Sequence, residues 1–501
     1  MTRSAPAPAA KAPASLARQA GRGAAWAAAS NLVMRFASVA VTAILARLLS
    51  KEDFGVFAIA LAVYLVVGSM AELGMGSAIA RSAEEPDDIA PTVATISIAI
   101  SSALALVMAM GAEVLATWLG QPDASGPLRI LSLSLLLTGF FAVPGAQLVR
   151  DFRQDRIFLA TVTGFLVANP LLIVLAWNGG DATAFAWSRV VGQLASGLVF
   201  MASTARHYRP GWARAQVAPL LRFGVPLSLA NLVNWSLLNA DYLIMGRMLT
   251  AAEVGVYMIA FNVANWSTSV LGSVLNNVLV PAFGRVQHDR ERMAQAVVSA
   301  TQLVALIALP IGAMTLALAE PLIRAVFGDR WAEAAPVLQV LSIYGVLYAF
   351  SLLLVNVLVA AGATARLLVI QFCWIAALVP AMIVGLRLQG LPGAAWAHVV
   401  VIVAVALPCY LWAIGPSTAR PLPAIARTIS VPAGAAVVAC GVAWLVSSQL
   451  NTDWAGLVLG SLAGGCVYVL LAGRQILALV PERQRQHLTQ PTWMSRSGKL
   501  S

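Results

Sequence analysis

The chain has 501 residues, of which 60% are hydrophobic and 11% charged, with a mean hydropathy of +0.82. Soluble domains run at roughly 45–50% apolar and about 25% charged, so a soluble multidomain enzyme is excluded and disorder is confined to the ends. The net charge of +11 would suggest nucleic acid in a soluble protein, whereas in a membrane protein it can record topology.

A membrane helix needs about 20 mostly apolar residues. The first such run, 24–46, follows an Ala/Pro-rich basic tail (1–23) with Lys11, Arg18 and Arg22. Its full length and Arg35 argue against a cleaved signal peptide. Thirteen more follow at 54–80, 92–117, 128–149, 157–177, 183–203, 223–248, 254–279, 297–318, 336–360, 366–386, 393–414, 424–447 and 455–473. The runs are too long and too continuously apolar for barrel strands, so the expected class is all-α, a polytopic membrane protein of about 14 transmembrane helices. Pro170, Pro226, Pro310 and Pro408 interrupt spans, which membrane helices tolerate when neighbours satisfy the freed backbone groups. No connection is long enough for a globular domain.

With the N-terminal tail inside, 23 Lys and Arg residues fall on cytoplasmic positions and 7 on the opposite side, leaving Arg35 and Arg189 within spans. That bias follows the positive-inside rule and places both termini in the cytoplasm.

The chain also repeats itself. Asn31–Ala60 and Asn231–Ala260 align without gaps at an offset of 200, with 11 of 30 positions identical, among them Asn31/Asn231, Arg47/Arg247, Leu49/Leu249 and Gly55/Gly255. Six spans separate the copies, so both run in the same direction. This is a parallel repeat about an axis along the membrane normal, an arrangement transporters use for two lobes around a central site.

The stretches ARLLSKEDFGVFAIA (46–60), AELGMGSAIAR (71–81) and FGVPLSLANLVNWSLLNADYLIMGRMLTAAEVGVYMIAFNVANWSTSVLGSVLNNVLVPAFGRVQ (223–287) carry a family likeness. The chain resembles the polysaccharide transporter (polysaccharide biosynthesis protein) family of the MOP flippase superfamily, most strongly over 20–290 and mainly by span count over 291–475. The resemblance implies a six-helix lobe at 24–203, a basic linker at 204–222, a second six-helix lobe at 223–414, two additional helices within 415–475 and a cytoplasmic tail at 476–501. It further implies alternating-access flipping of undecaprenyl-diphosphate-linked oligosaccharide across a bacterial inner membrane, for exopolysaccharide, capsule or O-antigen (lipopolysaccharide) synthesis. The implied partners are the lipid-linked oligosaccharide, membrane lipids, a polysaccharide polymerase and glycosyltransferases, without nucleic acid. Beyond a coupling proton or sodium ion, no cofactor is expected. A multidrug/cation antiporter or a peptidoglycan-precursor flippase would share the architecture. A membrane polymerase or ligase would need a large catalytic outer loop, and 319–335 is short.

Ionisable groups deep in spans are costly and usually face an interior or a watery cavity. The candidates are Arg35, Glu72, Arg189 and Asp241. Helical spacing aligns Asn31, Arg35, Ser38 and Thr42 on the first span, Ser69, Glu72 and Gly76 on the second, Asn231, Asn234 and Asp241 on the seventh, and Asn262, Asn265, Ser269 and Asn276 on the eighth. If both lobes turn these rows inward, they line one cavity. Arg35 and Arg189 would attract a diphosphate or acidic sugar. The Asn and Ser rows would meet sugar hydroxyls, and Glu72 and Asp241 would balance charge or take the coupling ion. An internal Arg35–Glu72 ion pair and interhelical Asn hydrogen bonds are the structural alternatives.

Other features have plainer readings. Arg47 and Arg247 anchor helix ends; Trp118, Trp177, Trp331 and Trp454 form an interfacial belt; His398 is a packed or hydrogen-bonded residue alone in its span. Trp235 or Trp266 could stack on a sugar. Cys373, Cys409, Cys440 and Cys466 are expected to be buried packing residues, with no metal-binding spacing. P-loop, nucleophile-elbow and HExxH motifs are absent.

Overall fold

The computed structural model describes residues 37–71, 86–274, 289–415 and 422–479, together with Met34, Ile79, Phe283 and Gly284. Each of the fourteen expected spans carries a helix among them. In chain order these are α1 (Ala37–Leu48), α2 (Lys51–Ala71), α3 (Pro86–Trp118), α4 (Ser125–Arg150), α5 (Gln154–Trp177), α6 (Ala182–Ser203), α7 (Arg214–Met248), α8 (Ala251–Val274) and α9 (Arg290–Ala317). A short α10 (Ala319–Phe327) precedes α11 (Ala334–Ala360). The stretch Thr364–Ile414 is broken at Gly390, whose φ of 60° reverses the chain and divides it into α12 (364–389) and α13 (391–414). The last two are α14 (Leu422–Ser448) and α15 (Asp453–Leu479).

Several helices outrun their apolar segments. The seventh starts at Arg214 rather than 223 and the ninth at Arg290 rather than 297, because backbone pairing continues after hydropathy falls at the membrane interface. The segment before α7 is pinned to α3. The Gly211 amide donates to the Pro91 carbonyl at 3.1 Å, and the Asp87 carboxylate accepts from the Tyr208 hydroxyl and the Arg206 guanidinium. Those two donors, the tyrosine foremost, hold the Asp87 carboxyl below its ordinary value.

Packing sorts the helices into two groups. In the first, α4 packs on α2, α3 and α6, and α5 packs on α6; in the second, α11 packs on α8, α9 and α12, and α7 on the α12–α13 stretch. The last pair, α14 and α15, pack on each other, and α14 covers α9. The groups meet where α2 lies against α7 and α8. One buried core runs through that junction, including Phe54, Ile59, Val254, Tyr257 and Trp331. Lipid-facing positions are apolar too: Leu106, Met110, Val114 and Leu470 are all exposed. This corrects two expectations. Cys373 and Cys466 are exposed rather than buried, since an apolar residue in a membrane helix is as well solvated by lipid as by core. Trp331 is fully buried against Phe54, ring centroids 5.1 Å apart, and is not part of an interfacial belt, whereas Trp118, Trp177 and Trp454 are exposed.

Candidate functional site

The two copies of the repeat meet at their α1–α2 and α7–α8 turns. Each turn ends with a hydrogen-bonded cap on the following helix. The Ser50 amide donates to Asp53 Oδ2 at 2.9 Å and the Asp53 amide to Ser50 Oγ at 3.1 Å; the Thr250 amide donates to Glu253 Oε2 at 2.9 Å and the Glu253 amide to Thr250 Oγ1 at 3.4 Å. These are capping boxes at equivalent repeat positions. One turn further on, α2 and α8 touch through the repeated glycines. A Cβ at Gly55 would lie 1.7 Å from the Ala251 carbonyl oxygen, and one at Gly255 would lie 2.0 Å from the Lys51 carbonyl oxygen. Only glycine permits that backbone approach.

Beneath this contact, α1 and α8 enclose a polar cavity of about 410 Å³. Ser38 and Thr42 line it from α1, Asn262 and Asn265 from α8, and Phe327 from α10. The rows of the first and eighth spans therefore face the same space. Of the row expected on the first span, Asn31 and Arg35 lie outside the described residues, as do Glu72 and Asn276.

A second cavity, of about 170 Å³, sits inside the second helix group. It is lined by Asn234 and Asp241 of α7, Tyr344 and Ser351 of α11, Gln371 and Trp374 of α12, and His398 and Tyr410 of α13. Asp241 is 2% exposed, His398 4% and Tyr257 fully buried. The Tyr257 hydroxyl is 3.2 Å from Asp241 Oδ2 and 3.1 Å from His398 Nε2, and the carboxylate and imidazole are 4.0 Å apart. The Tyr242 amide donates to Asp241 Oδ1 at 2.9 Å. Tyr257 has one O–H for two acceptors. When it donates to the carboxylate, Nε2–H must donate to the phenol oxygen; when it donates to Nε2, a protonated Asp241 must donate to the phenol oxygen. The Tyr257 hydroxyl can thus relay a proton between His398 Nε2 and the Asp241 carboxylate without movement of the heavy atoms, while a net gain or loss takes a proton from outside the trio. The backbone of α13 loosens to a π-turn over Ile402–Ala406, just after His398 and just before Pro408, which lacks an N–H.

Arg189 lines neither of these cavities. Its guanidinium lies over the Tyr64 ring at 4.8 Å, inside the first helix group, where Gln193 also donates to the Ser134 carbonyl at 3.0 Å and to Thr138 Oγ1 at 2.8 Å. Asn231 is half-buried on α7, one turn before Asn234. The polar rows are therefore divided between two spaces: Asn262 and Asn265 meet α1, while Asn234 and Asp241 face the interior of their own group. Sequence reasoning read His398 as a packed or hydrogen-bonded residue alone in its span and did not single out Tyr257. A signal existed in the repeat. Asp241 and Tyr257 occupy the positions of Val41 and Phe57, so one copy is polar where the other is apolar.

Residues 44–336 match the polysaccharide biosynthesis protein family. The succinoglycan biosynthesis transport protein ExoT of Rhizobium meliloti is 31% identical over 306 residues, 60% of this chain and 61% of that protein. The lipopolysaccharide biosynthesis protein WzxC of Escherichia coli is 24% identical over 332 residues, 65% of this chain and 66% of its own length. The chain thus aligns with somewhat under two thirds of each of these relatives. Among solved structures, the lipid II flippase MurJ in an inward closed conformation superposes with a TM-score of 0.75 at 13% identity, over 90% of this chain and 99% of that one. An inward-facing multidrug resistance MATE transporter of the MOP superfamily gives 0.63 at 16% identity, over 80% and 99%. These likenesses show a common fold. With its many apolar helices, parallel repeat and matched central segment, the chain belongs to the polysaccharide biosynthesis protein family of multi-pass membrane proteins.

Proposed function

We propose that this chain is a flippase that moves undecaprenyl-diphosphate-linked oligosaccharide from the cytoplasmic to the periplasmic leaflet of a bacterial inner membrane by alternating access. The observation that carries the reading is the polar cavity between the two repeat copies, lined by Ser38, Thr42, Asn262 and Asn265 directly beneath the Gly55–Gly255 contact. Carboxamides and hydroxyls suit sugar hydroxyls, and a space between two lobes, closed at one end, suits a cargo admitted from the other. The printed roles of the relatives, succinoglycan transport and lipopolysaccharide biosynthesis, support the cargo class. Arg35 is assigned to the anionic part of the cargo, with Asn31, Asn231 and Asn276 extending the polar rows; Arg189, stacked on Tyr64, and Asn234, in the second cavity, are set apart from the cargo. Glu72 is assigned to charge balance. The positive-inside bias supports cytoplasmic termini and a periplasmic α1–α2 turn. The Asp241–Tyr257–His398 trio is assigned to the coupling ion, with a proton favoured over sodium because its three groups are linked by exchangeable hydrogens. No reaction is catalysed in this reading; the glycosyltransferases act before the flip and the polymerase after it.

Reconstitution tests the cargo. Liposomes carrying the chain and an undecaprenyl-diphosphate oligosaccharide are exposed to a membrane-impermeant sugar-oxidising reagent, and sugar crossing is followed over time. Replacing Asn262 and Asn265 by Ala should slow crossing about tenfold or more, the loss expected for one or two hydrogen bonds. Crossing no faster than in empty liposomes, with efflux of a cationic dye instead, would overturn the reading in favour of a multidrug antiporter.

A further inference from the structure

The two capping boxes leave a matched pair of defects. An amide at the end of a helix normally returns to the carbonyl four residues back, but the Ser50 and Thr250 amides are committed to Asp53 and Glu253 of the next helix. The Ala46 and Gly246 carbonyls therefore lack that donor, and the carbonyls of Leu49 and Leu249 lie beyond it. Each vacancy is filled from the opposite helix group. Gln121 Nε2 donates to the Gly246 and Leu249 carbonyls at 3.3 and 3.0 Å. Arg330 Nη2 donates to the Ala46 and Leu49 carbonyls, and Trp331 Nε1 donates to the Ala46 carbonyl at 2.9 Å.

The acceptors are the same repeat positions, offset by 200. The donors also correspond. Gln121 follows Gly120 (φ 75°) and opens the 3₁₀ turn Pro122–Ala124, while Arg330 follows Gly328 (φ 97°) within the 3₁₀ turn Asp329–Trp331. Each lobe's turn thus caps the first helix of the other.

We propose that these two reciprocal caps are the latches that hold the cavity closed at the turn end, and that opening there requires both to release. The capping boxes are local to each turn and survive separation of the helix groups. The cross-caps cannot, since each donor and its acceptors lie in different groups. Separation breaks them together and hands the carbonyls to water, which makes a discrete closed state rather than a graded one. The arginine latch is the stronger, because a guanidinium donor is charged and Trp331 reinforces it.

This inference rests on the alternating-access reading, but its test uses no cargo. In a background with the four cysteines replaced by serine, Thr42→Cys reports on the cavity and Asp453→Cys on a permanently exposed position at the same end. A membrane-impermeant maleimide is added from the face carrying Asp453. Arg330→Ala and Gln121→Ala should each raise the labelling rate of the cavity cysteine about three- to tenfold, and the double variant by roughly the product, with labelling at 453 unchanged. Arg330→Lys should fall between, since one ammonium does not reproduce the planar fork. Unchanged cavity labelling in the double variant overturns the proposal. If Arg330→Ala does not accumulate, Gln121→Glu decides: it keeps the side-chain volume and replaces the donor by an acceptor, so an unaltered rate overturns the proposal equally. If the labelling behaves as expected while the chain with Thr42 intact moves no lipid-linked oligosaccharide, the cargo assignment alone is overturned.

Discussion

At the residue scale, the decisive arrangement is three side chains that share hydrogens away from water. Asp241 alone in an apolar interior would be prohibitive; with a phenol and a backbone amide as donors and an imidazole beyond, it becomes a group whose protonation is tied to its neighbours. Asp241→Asn keeps the shape and removes the ionisable oxygen. In vesicles, gradient-driven accumulation of cargo should fall to the equilibrium level while passive equilibration persists; accumulation that still follows the proton gradient would remove Asp241 from coupling. The residue's candidacy was legible in the sequence as a rare charge within a span. Its partners were not, because Tyr257 and His398 are separated by 141 residues and nothing local to either marks the other.

At the element scale, the helix–turn–helix units do most to shape the molecule. S-x-x-D and T-x-x-E just before an apolar run are readable capping boxes, and the glycines after them are readable as repeat-conserved positions. That Gly55 and Gly255 face each other across the junction follows from the helix contact alone. Gly55→Ala would force its Cβ into the Ala251 carbonyl, so α2 and α8 must separate. We expect a loss of about 1–3 kcal/mol in the stability of the closed form, the usual range for overpacking, measured as a lower thermal midpoint in detergent together with faster labelling of a cavity cysteine. Retention of the parental midpoint and labelling would show that the two backbones do not meet in the membrane. The element the sequence misjudged is the α9–α11 connection. It read as a short loop without a constellation and Trp331 as an interfacial anchor, whereas it folds into α10 and a 3₁₀ turn whose tryptophan is buried beside Phe54.

At the scale of the whole molecule, charge and helix number have to agree. Under the proposed topology, with fourteen spans and both tails in the cytoplasm, Asp453 lies on the face of the α1–α2 turn, opposite the segment before α7. Single cysteines at Asp453 and Arg209, probed in intact spheroplasts with an impermeant thiol reagent, should label at 453 and stay protected at 209. The reverse pattern would invert the assigned direction of transport.

The sequence by itself determined the number of spans, the repeat and the family. Each of these is set by local composition or by comparison of the chain with itself, and the scarcity of charge in hydrocarbon makes the spans hard to misread. Only the tertiary structure decided which faces meet. Core and lipid are equally apolar, so hydropathy along a membrane helix does not say which side points inward; this is why Cys373 and Cys466 were misplaced and why the polar rows divide between two cavities. The pairing of Asp241 with Tyr257 and His398, and of Gln121 and Arg330 with the opposite repeat's carbonyls, belongs to the packing of distant helices. Helical spacing fixes a side chain's direction about its own axis, and the neighbour that lies in that direction is chosen by the fold.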